Sequence, residues 1–400
     1  MPGSLKCVNS FLVLAALLLG LAACQTPGAP RSRPDDSSPS DDDTSPDEPS
    51  PTPDEQWGLW HGVWQTNEFV FEAAPTPATL SPVMAALADG SIVVVSTSKT
   101  QTVVAGVDVY AQTLYLAHKL ADGQWRPYLA LDSFGWTTQN SSLAVDAAGD
   151  VNVLYSREGA PAHLTVVDNQ VTRDSLETGP SPPANVSLGF DALGELHAVF
   201  GDWSLSHQVL TTGGWQVADT NDNLSFPDIV FYTRDQSDPA ARLICLQYNE
   251  TGVGYTLMHF VHGDAGWQGG PVMPAIDFYE APHAVIDLTG RTNILVPSGQ
   301  GLMYLVQDPD AAGGWQTEIV AGQDSEMGYQ SAAIALIGDS PVAVFRDESE
   351  ADGYVSFRTA GTWNTSKIAG FNGGFLGFGL AVDPSQNLHV IFAGYRETPD

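Results

Sequence analysis

The residues of this chain with the greatest potential for chemistry are aromatic and charged side chains in irregular segments between strand-like runs. Irregular segments on a rigid scaffold are where binding residues usually lie. Aromatic rings stack on sugar rings or anchor a peptide, while nearby carboxylates and arginines bond to hydroxyl groups. The candidate ligand-binding residues are Phe134, Trp136, Trp203, Tyr279, Tyr329, Phe375, Arg157 and Arg346. The alternative for each ring is that it only packs one loop against another.

Motifs for catalysis are sparse in this sequence. A Gly-x-Ser-x-Gly nucleophile turn, a Walker-type loop and a Gly-x-Gly-x-x-Gly phosphate loop opening a helix are not found. His259 and His262 have the spacing of zinc ligands on a helix, but residues three apart in a strand point to opposite faces. Carboxylates such as Glu158 and Asp347 could act on a glycosidic bond if they faced each other. We therefore assign no catalytic residue, metal or cofactor, and keep a glycoside hydrolase or lyase as the alternative.

A hairpin of two apolar strands around a polar turn occurs seven times along the chain. It is clearest in SLAVDAAGDVNVLYS (142–156), SLGFDALGELHAVFG (187–201), HAVIDLTGRTNILVPS (283–298) and GLAVDPSQNLHVIFAG (379–394). Weaker copies occupy 82–96, 227–248 and 332–346. The turn recurs about every 49 residues, within the range of propeller blades. Its aspartate, as at Asp146, can accept backbone N–H bonds of the turn, which favours a structural role over metal binding.

A second pair of strands follows most hairpins and is joined by a turn that ends in tryptophan. These tryptophans are Trp125, Trp215, Trp267, Trp315 and Trp363. Because they share one repeat position, we expect them to pack between neighbouring blades rather than to bind a ligand. Each repeat is thus a four-stranded blade with strands a to d. The fold begins at 56–71 with strands c and d, and it ends with strands a and b.

The sequence therefore predicts an all-β fold, a seven-bladed β-propeller of four-stranded blades. Its ring is closed by the N-terminal c and d strands pairing with the C-terminal a and b strands. In such blades the d-to-a and b-to-c connections lie on one face of the ring, which we call the loop face. The candidate ligand-binding residues fall on this face. The opposite face carries the uniform turns of the hairpins and the tryptophans.

This pattern resembles the diffuse β-propeller repeats of bacterial surface lipoproteins, which are loosely similar to sialidase-type (BNR-like) repeats. Sialidases use an arginine cluster for a substrate carboxylate, a Tyr-Glu pair and Ser-x-Asp-x-Gly-x-Thr-Trp boxes. No such Asp-box occurs here. The resemblance implies that Arg157, Arg346 and Arg396 could converge on the loop face. It specifies the fold far better than an activity.

The N-terminal segment resembles the export signal of a bacterial lipoprotein. Residues 11–23 form an apolar run that is too short to span a bilayer and has the size of a signal-peptide core. The run ends in Leu21-Ala22-Ala23-Cys24, which is similar to a lipobox. The resemblance implies cleavage after residue 23, acylation of Cys24 with chains such as palmitate, and an anchor that does not span the membrane. Gln25 in place of Asp implies the outer membrane, on its periplasmic or surface side, whereas a plain secretory signal is the alternative.

The next segment, 24–55, joins the lipidated cysteine to the globular part of the chain. It consists almost entirely of Pro, Ser, Thr, Asp and Glu, so it predicts a disordered acidic linker. The whole chain has 47 acidic and 15 basic residues, which argues against a nucleic-acid partner. Cys245 is the only cysteine after Cys24, so no disulfide is expected within 56–400.

These features predict a membrane-tethered, non-catalytic binding or scaffolding protein in three parts. The parts are a lipoprotein signal peptide at 1–23, the lipidated cysteine and linker at 24–55, and the β-propeller at 56–400. We expect a monomer that binds a glycan or a protein on its loop face and contacts the membrane through lipid alone. A second alternative is an assembly lipoprotein that docks other envelope proteins.

Overall fold

The computed structural model describes residues 55–65, 68–77, 80–104, 107–135, 141–179, 185–231, 241–248, 254–263, 266–276, 281–298, 300–322, 329–347, 352–368 and 377–397. Within these ranges, 28 β-strands form seven four-stranded sheets, and a 3-10 turn covers Ala312–Gly314. None of their helical segments has the length and apolar character needed to cross a bilayer. The predicted signal peptide, Cys24 and all but the last residue of the linker lie outside the described residues.

The strands follow one another in blade order. The chain starts with β1 (Glu55–Gln65) and β2 (Glu68–Ala73). Blade 1 contains β3 (Leu80–Ala86), β4 (Ile92–Val104), β5 (Val107–Lys119) and β6 (Leu129–Gly135). Blade 2 contains β7 (Ser141–Val145), β8 (Val151–Arg157), β9 (Ala160–Val167) and β10 (Gln170–Ser175). Blade 3 contains β11 (Asn185–Phe190), β12 (Leu196–Gly201), β13 (Ser204–Thr211) and β14 (Gly214–Asp222).

The remaining blades repeat the pattern. Blade 4 contains β15 (Leu224–Phe231), β16 (Ala241–Tyr248), β17 (Tyr255–Gly263) and β18 (Gly266–Ile276). Blade 5 contains β19 (His283–Ile286), β20 (Thr292–Ser298), β21 (Gly301–Gln307) and β22 (Trp315–Gly322). Blade 6 contains β23 (Tyr329–Ile337), β24 (Ser340–Asp347), β25 (Asp352–Thr359) and β26 (Thr362–Lys367). The last strands, β27 (Phe378–Val382) and β28 (Leu388–Glu397), belong to blade 7.

The ring closes between the two ends of the propeller. Strand β1 pairs antiparallel with both β2 and β28, so the strand order of blade 7 is β2-β1-β28-β27. In this seam Leu59 lies opposite Ala393, and Gly62 lies opposite Val390. The predicted seven-bladed propeller and its closure by N-terminal c and d strands are confirmed. Closure removes the open sheet edge that a linear array of blades would expose.

The a-to-b turns have the conformation that their aspartates predict. In blade 2, Asp146 Oδ1 accepts hydrogen bonds of 2.9 Å from the backbone N–H groups of Ala148 and Asp150. Gly149 of this turn has φ of 91°, and Gln386 has φ of 68° at the same position of blade 7. Glycine suits this left-handed region because it has no Cβ. Turn geometry therefore accounts for the recurring aspartates.

The recurring tryptophans pack between neighbouring blades, as the repeat predicts. Each one contacts, edge to face, a ring on strand c of the preceding blade. Ring centres are 5.1 to 5.6 Å apart in the pairs Trp125–His61, Trp215–His163, Trp267–His207, Trp315–His259 and Trp363–Tyr304. Aromatic pairs prefer such tilted contacts at these distances. The tryptophans thus join one sheet to the next.

In four of these five pairs, the ring on strand c is also held by a polar residue of strand b in its own blade. The contacts are His61 with His389 at 3.1 Å, His163 with Asn152 at 3.1 Å, His207 with His197 at 3.0 Å, and Tyr304 with Asn293. Burial lowers the pKa of His61 and His163 to about 4 and that of His207 to about 3. These rings are therefore neutral at pH 7.

We expect Trp215→Ala to destabilise the propeller by about 3–5 kcal/mol, because it leaves a cavity between blades 2 and 3. Trp215 is 8% exposed, whereas Trp203 is 56% exposed. The matched control Trp203→Ala should change the free energy of unfolding by no more than about 0.5 kcal/mol. Urea denaturation of both variants measures the difference, and equal losses would contradict the inter-blade role of Trp215.

Candidate ligand-binding site

The innermost strand of each blade, strand a, faces a central channel. A cavity of about 540 Å³ opens where these strands begin, and residues of all seven blades line it. The chain reaches these positions from the d-to-a connections, so the cavity lies at the loop-face end of the channel. Sites for small ligands typically have volumes of about 300–1,000 Å³. This cavity, which we call the channel mouth, is therefore large enough for a sugar.

Four polar side chains on consecutive blades occupy one repeat position in the channel mouth. They are Ser142, Ser187, Asp228 and His283, on strands β7, β11, β15 and β19. Their Cα partners on strand b are Leu154, Val199, Ile244 and Leu295, which occupy equivalent positions in blades 2 to 5. We call these four residues the polar arc. The arc makes one side of the mouth polar.

Three members of the polar arc accept a hydrogen bond from the inner strand of the next blade. Ser142 Oγ accepts from the Leu188 N–H at 3.0 Å, Ser187 Oγ from the Ile229 N–H at 2.9 Å, and Asp228 Oδ2 from the Ala284 N–H at 2.6 Å. These bonds connect inner strands that belong to different sheets. Because a serine makes the link in two blades, the link alone does not require the carboxyl group of Asp228.

Among the described residues that line the channel mouth, Asp228 is the one acidic residue. Asp228 has neutral partners, the Ala284 N–H and the Ser187 hydroxyl, which donates to Oδ1 at 3.3 Å. Burial raises the pKa of Asp228 to about 7, although both bonds oppose the shift. Burial lowers the pKa of His283 to about 4, so this imidazole is neutral at pH 7. The described lining contains no lysine or arginine, so it suits a neutral or cationic group better than an anion.

Below the polar arc the side chains that line the channel are apolar. A second cavity, of about 380 Å³, is lined by Leu143, Val145, Leu188, Phe190, Ile229, Val285 and Ile286, together with two alanines and a glycine. Burying a polar group there without a partner costs free energy. A polar ligand is therefore expected to stop at the mouth instead of passing down the channel.

Four aromatic residues of blades 3 and 4 form a row that leads to the channel mouth. Successive ring centres lie 5.9 Å apart from Trp203 to Tyr248, 5.6 Å from Tyr248 to Tyr255 and 6.3 Å from Tyr255 to Phe226. Trp203 is 56% exposed and Tyr248 is 40% exposed, whereas Phe226 lines the mouth. We call these four residues the aromatic row. It offers apolar ring surface from the loop face to the cavity.

Trp203 is held in place by a tight turn between β12 and β13. Gly201 has φ of 147°, and a Cβ at this position would lie 2.1 Å from the carbonyl oxygen of Ser204, so the turn requires glycine. The backbone N–H of Asn223 donates to the Trp203 carbonyl at 2.8 Å. This bond ties the turn to the short connection between blades 3 and 4. The exposed indole thus projects from an ordered backbone.

Phe226 reaches the mouth through an irregularity in β15. The pairing of β15 with β16 shifts between Ser225 and Asp228, and Phe226 has φ of 53°. A residue other than glycine in this region costs roughly 1–2 kcal/mol. Strained residues of this kind concentrate at functional sites. Ser81, with φ of 42°, lies in a similar irregularity of β3 and also lines the mouth.

Two of the candidates from the sequence lie in the contact between blades 1 and 2. Phe134 is 7% exposed and its ring centre lies 5.5 Å from that of Tyr155. Arg157 Nε lies 3.0 Å from Asp132 Oδ2, which also accepts a bond of 2.6 Å from the Tyr155 hydroxyl. These partners leave little of the Phe134 ring and only part of the Arg157 guanidinium for a ligand.

The other candidates are distributed around the loop face. Trp203 belongs to the aromatic row. Arg346 lies half-buried near the end of β24. Tyr329 begins β23, and its side chain lies outside the described residues, as do Trp136, Tyr279 and Phe375 altogether. Among the candidate residues, the structure thus places Trp203 in a larger site, the aromatic row.

Sequence reasoning missed the polar arc and three members of the aromatic row. A signal for the arc was available, because Ser142, Ser187 and His283 each stand four residues before the turn aspartate of their hairpin. Polar residues at one repeat position of an inner strand indicate a shared environment. No comparable signal marks Tyr248 and Tyr255, which meet because they lie opposite each other at the ends of β16 and β17.

Other polar clusters of the described residues have structural explanations. Asp191, Glu195 and His197 bring three potential metal ligands together. Asp191 Oδ1, however, accepts the backbone N–H of Glu195 at 2.7 Å, and the same turn recurs in blade 7 with Asn387 in place of the glutamate. His259 contacts Trp315 of blade 5, whereas His262 contacts His207 of blade 3, so the two histidines point to opposite faces as predicted.

The raised pKa of Asp228 predicts a distinct pH dependence of stability. The folded protein keeps the Asp228 proton up to about pH 7, whereas an unfolded aspartate releases it near pH 4. Between these values the unfolded aspartate binds fewer protons than the folded one, so the contribution of Asp228 to the free energy of unfolding should fall as pH rises, by at most about 1.4 kcal/mol per pH unit. Relative to Asp228→Asn, the wild type should lose stability from about pH 4 to about pH 7. Chemical denaturation of both proteins across this range measures this loss, and a constant difference in stability would contradict the raised pKa of Asp228.

Comparisons with known proteins find similarity in structure alone. No family model and no curated protein matches the sequence. An ulvan lyase, a polysaccharide lyase solved with a bound saccharide, has a TM-score of 0.51 and 11% identity over 77% of this chain and 89% of that chain. The Dos1 propeller has a TM-score of 0.49 and 9% identity over 84% and 94%, and a protein from Lactobacillus plantarum has 0.47 and 16% over 73% and 86%. At these identities the similarity to the lyase shows the propeller fold and not an activity.

Proposed function

We propose that this protein is a glycan-binding propeller whose ligand lies along the aromatic row and ends in the channel mouth. The observation that carries the proposal is the continuity of the row, from the exposed Trp203 to Phe226 at the cavity. Rigid, exposed aromatic rings beside convergent polar groups are typical of binding sites. Sugars match this surface because their C–H faces pack on rings while their hydroxyl groups bond to serine, aspartate and histidine.

The dimensions of the site favour a saccharide over a folded protein partner. A stable protein interface buries about 800 Å² on each side. The aromatic row is one ring wide and runs into a cavity with serines on its wall. A narrow apolar track that leads to a polar pocket suits an extended chain of small units. A protein ligand becomes the alternative if no glycan binds.

The described residues of the channel mouth support ligand binding without catalysis. A glycosidase needs two carboxyl groups about 5–10 Å apart on either side of the bond that it cleaves. Among the described lining residues, Asp228 is the one carboxyl group. A lyase or hydrolase on the same scaffold is the alternative, and product formation during a binding assay would reveal it.

Membrane tethering belongs to the same proposal and rests on the sequence. The lipobox-like segment that ends at Cys24 precedes an acidic segment rich in proline and serine. Segments of this composition typically behave as extended spacers, which suits a tether between a lipid anchor and a folded part. We propose an outer-membrane lipoprotein that presents its loop face to glycans of the envelope or its surroundings.

The glycan proposal predicts that Trp203→Ala combined with Tyr248→Ala weakens binding by on the order of 30-fold, since buried aromatic contacts dominate such interfaces. A glycan array identifies a ligand, and calorimetry then compares the variants. Tyr128→Ala is the matched control, because Tyr128 is 48% exposed but precedes β6 away from the row. Unchanged affinity of the double variant would contradict the role of the aromatic row.

The tethering proposal predicts that Cys24→Ser abolishes lipid attachment. Expression in a bacterium supplied with labelled palmitate should label the wild type and leave the variant unlabelled. Cys245→Ser is the control, because Cys245 is buried in β16 and should not be acylated. Equal labelling of the wild type and Cys24→Ser would contradict the lipobox.

A further inference from the structure

The channel mouth contains a carboxyl group that no cation in the described structure compensates. Asp228 faces Ser187 on β11 and the Ala284 N–H on β19, and its own strand contributes no charged neighbour among the lining residues. The titratable group nearest in the repeat is His283 on β19, which is neutral at pH 7. Placing a carboxylate in such surroundings is unfavourable unless an opposite charge accompanies it.

The hydrogen bond that Asp228 accepts from the Ala284 N–H does not require a charged side chain. Ser142 and Ser187 accept the equivalent backbone N–H with neutral hydroxyl groups at the same repeat position. A serine or an asparagine at 228 would therefore preserve the link to blade 5. The chain instead places an acid at the position where the aromatic row meets the cavity. The charge is thus better explained by a ligand than by the fold.

The form of the mouth restricts what such a ligand can be. Oxygen and nitrogen acceptors of Ser142, Ser187 and His283 surround the cavity on the same side as Asp228. An ammonium group offers several N–H donors to such acceptors, and its bonds to a carboxylate are charge-assisted. The 47 acidic residues of the chain, against 15 basic ones, also attract cations from solution.

We propose that the channel mouth is a subsite for an amino sugar, with the free ammonium group of the saccharide paired with the Asp228 carboxylate. This inference rests on the proposed glycan binding and adds the class of sugar. The aromatic row carries the preceding units of the chain, and the polar arc receives the amine of the terminal unit. N-acetylation removes the charge and enlarges the group, so it should weaken binding at this subsite.

The test compares two oligosaccharides that differ only at nitrogen, a glucosamine oligomer and the N-acetylglucosamine oligomer of the same length. Calorimetry at near-neutral pH measures both with the purified protein. We expect the wild type to prefer the glucosamine oligomer by about tenfold or more, the scale of a charge-assisted hydrogen bond. Asp228→Asn and Asp228→Ser should bind the two oligomers equally, because both keep an acceptor for the Ala284 N–H and lose the charge.

The outcomes separate this inference from the proposal on which it rests. Equal binding of both oligomers by the wild type would overturn the amino-sugar subsite and leave glycan binding intact. A preference that persists in the Asp228 variants would overturn the role of Asp228. Failure of the wild type to bind either oligomer or any arrayed glycan would remove the proposed function, and the subsite with it. If one variant does not fold, the other and the wild-type preference still decide the result.

Discussion

The contact between a tryptophan and a ring on the preceding blade is the interaction on which the rest of this structure depends. A four-stranded blade cannot bury both of its faces alone, so each sheet needs its neighbours. In five of the described interfaces a tryptophan supplies that contact, and in most of them strand b holds the receiving ring. The receiving histidines are neutral because burial lowers their pKa. The packing therefore suits a neutral or alkaline medium better than an acidic one.

The inner part of the ring obeys a different constraint. Inner strands of adjacent blades converge on the channel without pairing as a sheet, so their backbone N–H groups need other acceptors. Ser142, Ser187 and Asp228 supply them with side-chain oxygens. The polar lining of the mouth is thus first a solution to backbone hydrogen bonding. A binding site can form where one of these positions has a carboxyl group, which the backbone hydrogen bond itself does not require.

The sequence predicts the repeated parts of this structure well, since repetition reveals their environment. The hairpins, the tryptophan turns and the closing strands follow from residues that recur in register. The aromatic row does not recur, because its members come from a turn, a strained residue and two strand ends in blades 3 and 4. Trp203 could be predicted because it is an aromatic residue in a connection between two strands. Phe134 looked similar in the sequence, but it lies within β6 and packs on Tyr155. The sequence pattern did not show that this strand extends as far as Phe134.

Blade 4 departs from the repeat at several positions, and these departures belong together. Its inner strand contains the left-handed Phe226 and the acid Asp228, whose ionised form is disfavoured there, and both are unfavourable for stability alone. The same blade has Arg242 where blades 2, 3, 5 and 7 place histidine or asparagine, and this side chain donates to the Gly290 carbonyl and the Thr292 hydroxyl of blade 5. Strain persists only where the surroundings hold it in place. Arg242 anchors β16 to blade 5 and so supports blade 4, whose inner strand β15 is irregular. In this way a repetitive ring accommodates a site that is present in one part of it.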